Sequence, residues 1–511
     1  MTAHLVLSLL VPVVGSAFIV LLRRNPNARE AASLVTAGVL FAIVLRIYGA
    51  VSDGARPEVV LAEPFPGIPI SLEAEPLGVL FALIASFLWI VTTAYSIGYM
   101  RGHREKNQTR FYFFFAFAIA SVMGVAFAGN LLTLFVFYEI LSLTTFPLVT
   151  HAGTEAARRA GRVYLGILFS TSIVFQLLGI IWVYAAAGTL DFAAGGILRG
   201  NVAAGTVPAL LALFVFGIGK AAVMPFHRWL PAAMVAPTPV SALLHAVAVV
   251  KAGVFAVLKV TVYVFGTDFV AELGASNWLM WIAAATIILG SLVAFTKDNL
   301  KARLAYSTVS QLSYVVLGAM LANSLGVIGS GMHIAMHAFG KITLFFCAGA
   351  IMVGAHKSEV SQLGGLGREM PVVFAAFLIG TLSIVGLPPT GGAWSKWFLG
   401  LGSLEAGQAG LVAVLMLSSL LSLAYLMEIP LKGFFGRPAG AEHGSGPGGQ
   451  GDHGPRGDHG PDDDHGHHGG HRPHGAPMWS VAAIVVTAAA CLVLFVYPEP
   501  FYRLMTMVTG P

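Results

Sequence analysis

Charge is what this sequence has least of: Asp, Glu, Lys and Arg make up 10% of its 511 residues, where soluble domains carry about 25%. That scarcity excludes an ordinary water-soluble enzyme, and nothing in the composition points to nucleic acid. Cysteine is nearly absent too, and the two present, Cys347 and Cys491, fall in separate apolar stretches. Their spacing excludes a disulfide framework and an iron–sulfur site, so no redox centre and no cofactor are expected. The first apolar stretch lacks a basic leader and a small-residue cleavage site, and is expected to stay as a span.

Apolar residues fill the gap, at 57% of the chain with a mean hydropathy of +0.80. Fourteen stretches approach the roughly 20 residues that a transmembrane helix needs. They begin at about residues 3, 31, 76, 111, 130, 162, 206, 239, 276, 302, 326, 371, 408 and 478. The expected fold class is therefore all-α, a polytopic membrane protein of about 14 transmembrane helices. Of the 29 Lys and Arg residues, 20 fall in connections after odd-numbered spans, such as Arg101, Arg104, Lys106 and Arg110. The even connections and the C-terminus hold only Arg56, Arg199 and Arg503 and are rich in Asp and Glu. By the positive-inside rule both termini face outward and the odd loops are cytoplasmic.

Between about residues 436 and 477 the composition shifts to Gly, Pro, Asp and His. Such a segment cannot bury a core and is expected to be a disordered cytoplasmic loop. His465, His467, His468 and His471 give it a weak capacity for metal, without a spacing that fixes a coordination geometry.

Two spans carry helix breakers beside a lysine. Lys220 precedes Pro225, Pro231, Pro237 and Pro239 in the seventh, and Gly386, Pro388, Pro389, Gly391 and Gly392 precede Lys396 in the twelfth. Interrupted helices survive at membrane depth only where protein or water satisfies the freed backbone groups, and transporters place ion sites there. The two breaks lie five spans apart, and a five-span unit inserts its second copy upside down. The chain then divides into three N-terminal spans (1–100), a first five-helix repeat (101–265), an inverted second repeat (276–435), the loop (436–477) and a final span (478–511).

Glu139, Lys220, Lys251, Lys341 and Lys396 all lie inside apolar segments. Each charge at the bilayer centre costs roughly 2.5 to 3.5 kcal/mol, which makes five of them candidates for an ion path. A buried lysine can load and release a proton, whereas arginine cannot. Glu139 reads either as the charge partner of a lysine across the bundle or as a structural carboxylate facing a helix dipole or an arginine. His333, His337 and Lys341 are spaced by four and so form one stripe on a helix face, a plausible proton relay. His245, six residues before Lys251, is a further candidate, and Ser307, Thr308, Ser310 and Gln311 offer places for bridging water. Arg46 and Lys259 lie near span ends and are expected to snorkel to the surface. Glu428, beside Pro430, is expected to be a loop-facing anchor.

The run from Gly219-Lys220-Ala221-Ala222 through Pro225-Phe226-His227-Arg228-Trp229-Leu230-Pro231 to Ala236-Pro237-Thr238-Pro239 and His245 resembles a known signature. It is that of the antiporter-like subunits shared by respiratory complex I and Mrp-type multisubunit cation/proton antiporters. Leu304-Ala305-Tyr306-Ser307-Thr308, the His333/His337/Lys341 helix and Gly386-Leu387-Pro388-Pro389 before Ser395-Lys396 carry the same resemblance, over about residues 76 to 434. It implies fourteen helices with two inverted five-helix units and a hydrated polar axis at mid-membrane. It also implies that Glu139 and Lys220 form the controlling ion pair, that Lys251 and the histidine stripe continue the axis, and that Lys396 opens to one side. Ala232 stands where many relatives have an acid, and the chain ends soon after span fourteen without a long lateral helix, which is similar to the D-type component of Mrp antiporters and to the middle complex I subunits.

The expected function is a proton-translocating subunit of an Mrp-like Na+/H+ antiporter in a bacterial plasma membrane. Its expected partners are other membrane subunits, protons and Na+. The alternative is the same role in a redox-driven NADH:quinone oxidoreductase or membrane hydrogenase, with electron transfer left to partners. A stand-alone metal exporter is disfavoured, because intramembrane lysines repel a divalent cation.

Overall fold

The computed structural model describes residues 1–437 and 476–510, so the His-rich segment and its metal-binding expectation lie outside the described residues. Within them, eleven helices are long and apolar enough to cross a membrane. Three further helical elements occupy the remaining expected positions. Two are halves of interrupted helices, Ala204–Gly217 and Pro371–Val385. The third, Leu300–Met320, is long enough but rich in Lys, Arg, Ser and Gln. The protein is thus a polytopic all-α bundle, with spans 1 to 14 in chain order.

The spans used below are span 3 (Pro76–Gly102), span 4 (Gln108–Ala126), span 5 (Leu131–Val149), span 6 (Glu155–Ala187) and span 7, which begins at Val207–Gly217. They continue with span 8 (Thr238–Phe265), span 9 (Asn277–Phe295), span 10 (Leu300–Met320) and span 11 (Ser324–Ala355). Span 12 consists of Pro371–Val385 and Gly392–Glu405, and span 13 is Ala409–Phe435.

Short polar caps start these helices. The side chains of Asn130, Thr154, Asn299 and Asn323 each accept a hydrogen bond from a first-turn backbone N–H, satisfying donors that the helix itself cannot. Span 11 is 32 residues long and buried over most of its length, and it packs against spans 3, 8, 10, 12 and the final span (Met478–Val496).

Both expected breaks are present. Span 7 stops at Gly217, tightens into a single turn at Gly219–Ala221 and resumes helically only at Trp229–Ala232. Span 12 ends its first half at Gly386, whose φ of +85° is a left-handed value that a side chain would strain. Span 8 is irregular as well, with wide π turns at Leu243–Val247 and Thr261–Phe265, a feature that often marks functional positions. It lies against the break of span 7, where a Cβ on Gly253 would stand 2.3 Å from the Lys220 carbonyl carbon and the Ala221 nitrogen.

One element has no counterpart in the all-α expectation. The strands β1 (Glu58–Phe65) and β2 (Ile68–Glu73) form an antiparallel hairpin between the second and third spans. The hairpin is anchored over the turn joining spans 4 and 5, where the Glu73 N–H donates to Phe127 O (2.7 Å) and the Asn130 amide to Pro69 O (2.7 Å). Burial pushes the Glu73 carboxyl above the usual carboxylate range, against the pull of Lys259.

Candidate functional site

The expected basic residues converge on the interior. Lys220, Lys251, Lys341 and His245 are fully buried, and His333 and His337 nearly so. No amine among them is left bare. The Lys220 ammonium donates to Tyr138 O (2.8 Å) and Ser142 Oγ (2.6 Å) on span 5, and it stands 3.1 Å from the centroid of the Tyr138 ring. A desolvated cation over an aromatic face gains about 2 kcal/mol. The Tyr138 hydroxyl in turn accepts from the Lys220 backbone N–H (3.1 Å), and Trp229 Nε1 donates to Gly219 O (3.0 Å). The break therefore satisfies its own freed backbone groups with side chains.

This arrangement corrects one expectation. Glu139 and Lys220 are not paired here: both carboxylate oxygens of Glu139 are buried without a hydrogen-bond partner, and Lys220 belongs to no salt bridge among the described residues. Tyr138 and Ser142, one residue before Glu139 and three after it, hold the amine instead. Glu139 remains within electrostatic reach of Lys220. An unpaired buried carboxylate is costly, so a water or a swing of the Lys220 amine has to answer it.

From Lys251 onward the groups form a connected series. Lys251 Nζ lies 2.5 Å from His337 Nδ1. The His337 and His333 rings stack at 5.7 Å and 21°, and His333 stacks on Tyr314 at 5.3 Å. His333 Nδ1 then lies 2.9 Å from Ser395 Oγ, the neighbour of Lys396. The Nε2 atoms of both histidines are buried and unpartnered, as are both ring nitrogens of His245, which packs 4.8 Å from the Phe345 ring. Such sites are where buried water completes a polar network. His245 thus lies in the same interior without a direct bond to the series.

Lys341 turns from the histidines toward span 10, donating to Ser307 Oγ (2.6 Å) and Leu304 O (3.3 Å). Lys396 donates to Val385 O (2.9 Å), the last carbonyl of the first half of span 12, and to Ser419 Oγ (2.8 Å). A cation at the carbonyl end of a half-helix answers both the orphan acceptor and the helix dipole. Lys396 borders a crevice, an apolar cleft of about 670 Å³ between the two halves of span 12 and span 13.

Three features escaped the sequence. Lys259 does not snorkel: it is fully buried, pairs with Glu75 (3.1 Å) and donates to Ala128 O (2.8 Å). Glu75 also caps span 3 through Leu77 N and Gly78 N and accepts from Tyr263 OH. Glu428 is not a free loop anchor, since it binds Arg303 and Lys432 at 2.6 Å each. Finally, Ser291, Ser310 and Ser418 meet from spans 9, 10 and 13 at 2.9 to 3.3 Å. Ser418, Ser422 and Tyr425 recur at helical spacing on span 13. Arg46 is exposed, as expected.

A helical bundle with discontinuous spans, each break beside a lysine, and with bases sealed between them is built like an ion-translocating membrane protein. The chain belongs to the NADH:quinone oxidoreductase/Mrp antiporter transmembrane family, whose pattern matches residues 128–422, and so is an antiporter-like subunit of the Mrp, complex I and hydrogenase group. It is 34% identical over 406 residues to NADH-quinone oxidoreductase subunit N of Desulforudis audaxviator, covering 77% of this chain and 80% of that protein. It is 32% identical to hydrogenase-4 component B of Escherichia coli, over 74% of this chain and 59% of that one. The fold also matches a chain of the Mrp complex from a Dietzia species with a TM-score of 0.83, at 23% identity over 100% of this chain and 97% of the other.

Proposed function

We propose that this chain is the proton-translocating, antiporter-like component of a multisubunit Na+/H+ antiporter, of the D type found in Mrp complexes. The observation that carries the reading is the buried series Lys251, His337, His333 and Ser395–Lys396, with Lys220 buried at the break of span 7. Imidazoles can pass a proton without leaving their place, and amines held on neutral oxygens can give one up without breaking a salt bridge. Lys220 is the switch: in its Tyr138–Ser142 cage it is free of Glu139, and a swing to Glu139 forms the ion pair. Two charges 4 Å apart interact by about 4 kcal/mol at an effective dielectric of 20, so such a swing changes how firmly the amine keeps its proton. Lys396 is the terminal station, opening through the crevice.

In this reading the chain sits in a bacterial plasma membrane among other membrane subunits, with both termini outside and the 436–477 segment inside. A second reading keeps the mechanism and changes the driver. The similarity to a protein named NADH-quinone oxidoreductase subunit N supports a proton-pumping subunit of a redox complex. Sealed vesicles carrying the assembled complex test both: Na+-dependent proton movement supports the antiporter reading, and proton movement that needs an electron donor and a quinone supports the second. Proton flux unchanged by Lys220→Ala overturns the mechanism common to both.

A further inference from the structure

Resting on that reading, we propose that a second branch, made of hydroxyls, joins Lys341 to Lys396 in parallel with the histidine stripe. From Lys341 the contacts run to Ser307 Oγ (2.6 Å), from Ser307 to Tyr425 OH (2.9 Å) and from Tyr425 to Ser422 Oγ (3.0 Å). One helical turn away on span 13 lies Ser418, within 3.1 Å of Ser291 and 3.3 Å of Ser310, and its neighbour Ser419 accepts from Lys396 at 2.8 Å. Ser307, Ser418, Ser422 and Tyr425 are all fully buried. The serine hydroxyls at the meeting of spans 9, 10 and 13 are polar groups that add little packing beyond what alanine would give.

The row is broken at the turn between Ser422 and Ser418 and again between Ser418 and its neighbour Ser419, which share no hydrogen bond, and a second observation points to what fills these gaps. The side-chain amide of Gln311, one residue after Ser310 and one turn after Ser307, is fully buried, and neither its nitrogen nor its oxygen has a partner. A buried amide with all its hydrogen-bonding capacity unused is the kind of group that ordered water satisfies. Water there completes the branch between Lys341 and Lys396.

Serine and tyrosine hydroxyls each donate one proton and accept another. A proton leaving one lysine is taken by the nearest hydroxyl, which releases its own to the next. The far lysine, uncharged beforehand, ends protonated, and every intervening hydroxyl is left turned the other way. No charge is stored in the row, and no group other than the two lysines changes protonation. The histidine branch reaches the same Lys396 from a different amine, Lys251, through His337, His333 and Ser395.

Parallel branches predict a pattern that a structural role does not. In vesicles with the assembled complex, Tyr425→Phe keeps the ring and removes the hydroxyl, and His333→Phe keeps the stack on Tyr314 and removes the imidazole. Each single variant is expected to retain partial proton flux, with the double falling about a hundredfold below wild type, the scale of a lost positioned proton-transfer group. Ser307→Ala is expected to behave as Tyr425→Phe, and Ser307→Thr, which restores a hydroxyl, to recover the flux. A double variant no slower than His333→Phe alone overturns the branch, and so does complete loss in Tyr425→Phe alone. If Lys220→Ala abolishes flux while the double variant transports, the branch falls and the proposed function stands. If Lys220→Ala transports normally, the proposed function falls first.

Discussion

Lys259 and Glu75 allow a structural charge pair to be told from a transport station by magnitude. The Glu75 carboxylate receives four hydrogen bonds: Oε1 from Gly78 N (2.7 Å) and Lys259 Nζ (3.1 Å), Oε2 from Leu77 N (2.7 Å) and Tyr263 OH (2.9 Å). A carboxylate so fully satisfied has no free lone pair with which to take up a passing proton. Lys259 is equally committed, to Glu75 and to carbonyls at the end of span 4. Removing one partner of a buried pair costs about 3 to 5 kcal/mol, because the other is left uncompensated, whereas replacing both is often neutral. Lys259→Met should therefore lower the thermal unfolding temperature of the purified protein clearly, and adding Glu75→Gln should recover most of the loss. Flux per folded complex should stay near wild type in both. Unchanged melting in Lys259→Met would refute the energetic reasoning. Normal melting with lost flux would make the pair part of the proton path.

Other consequences can be checked separately. Glu73→Gln should raise stability at neutral pH and not in acid: burial places the folded carboxyl above its ordinary range, so charging it destabilises the fold as pH rises past the unfolded value, and glutamine never charges. Unfolding midpoints measured across pH 3 to 8, roughly the range of carboxylate titration, would show the gap opening upward, and a constant gap would contradict it. Gly253→Val should push span 8 off the break of span 7 and cost about 1 to 3 kcal/mol. It should reduce flux together with stability, as seen by melting and transport on one preparation. Glu139→Ala should abolish coupled transport while leaving assembly intact, which co-purification of the partner subunits would show.

Much of this could be read directly from the chain, because lipid penalises charge and punishes broken helices. Lys220 and Lys396 beside Pro and Gly clusters mark both interruptions, and the four-residue spacing of His333, His337 and Lys341 places them on one helix face. Lys259 departs from the snorkelling expectation for a physical reason: distance from a span end predicts snorkelling only when that end meets water. Here the hairpin of Glu58–Glu73 and the turn after span 4 cover it. The hairpin leaves little trace in the sequence because β1 is mostly exposed and interrupted by Pro64. The partner of Lys220 could not be read either, since Tyr138, Glu139 and Ser142 lie within a few residues of one another and only helix rotation decides which of them faces the amine. Helical stripes of serine such as Ser418 and Ser422 carry little signal, because serine bonds equally well to its own backbone.

The most direct test is proton flux in sealed vesicles carrying the whole assembled complex with Lys251→Met, beside the exposed-surface control Arg46→Gln. A marked fall in flux in the first, to the level of His333→Phe, with assembly intact and the control unaffected, is the expected result. Flux at the wild-type rate without the Lys251 amine would mean that protons do not travel through the series of Lys251, His337 and His333, on which the account rests.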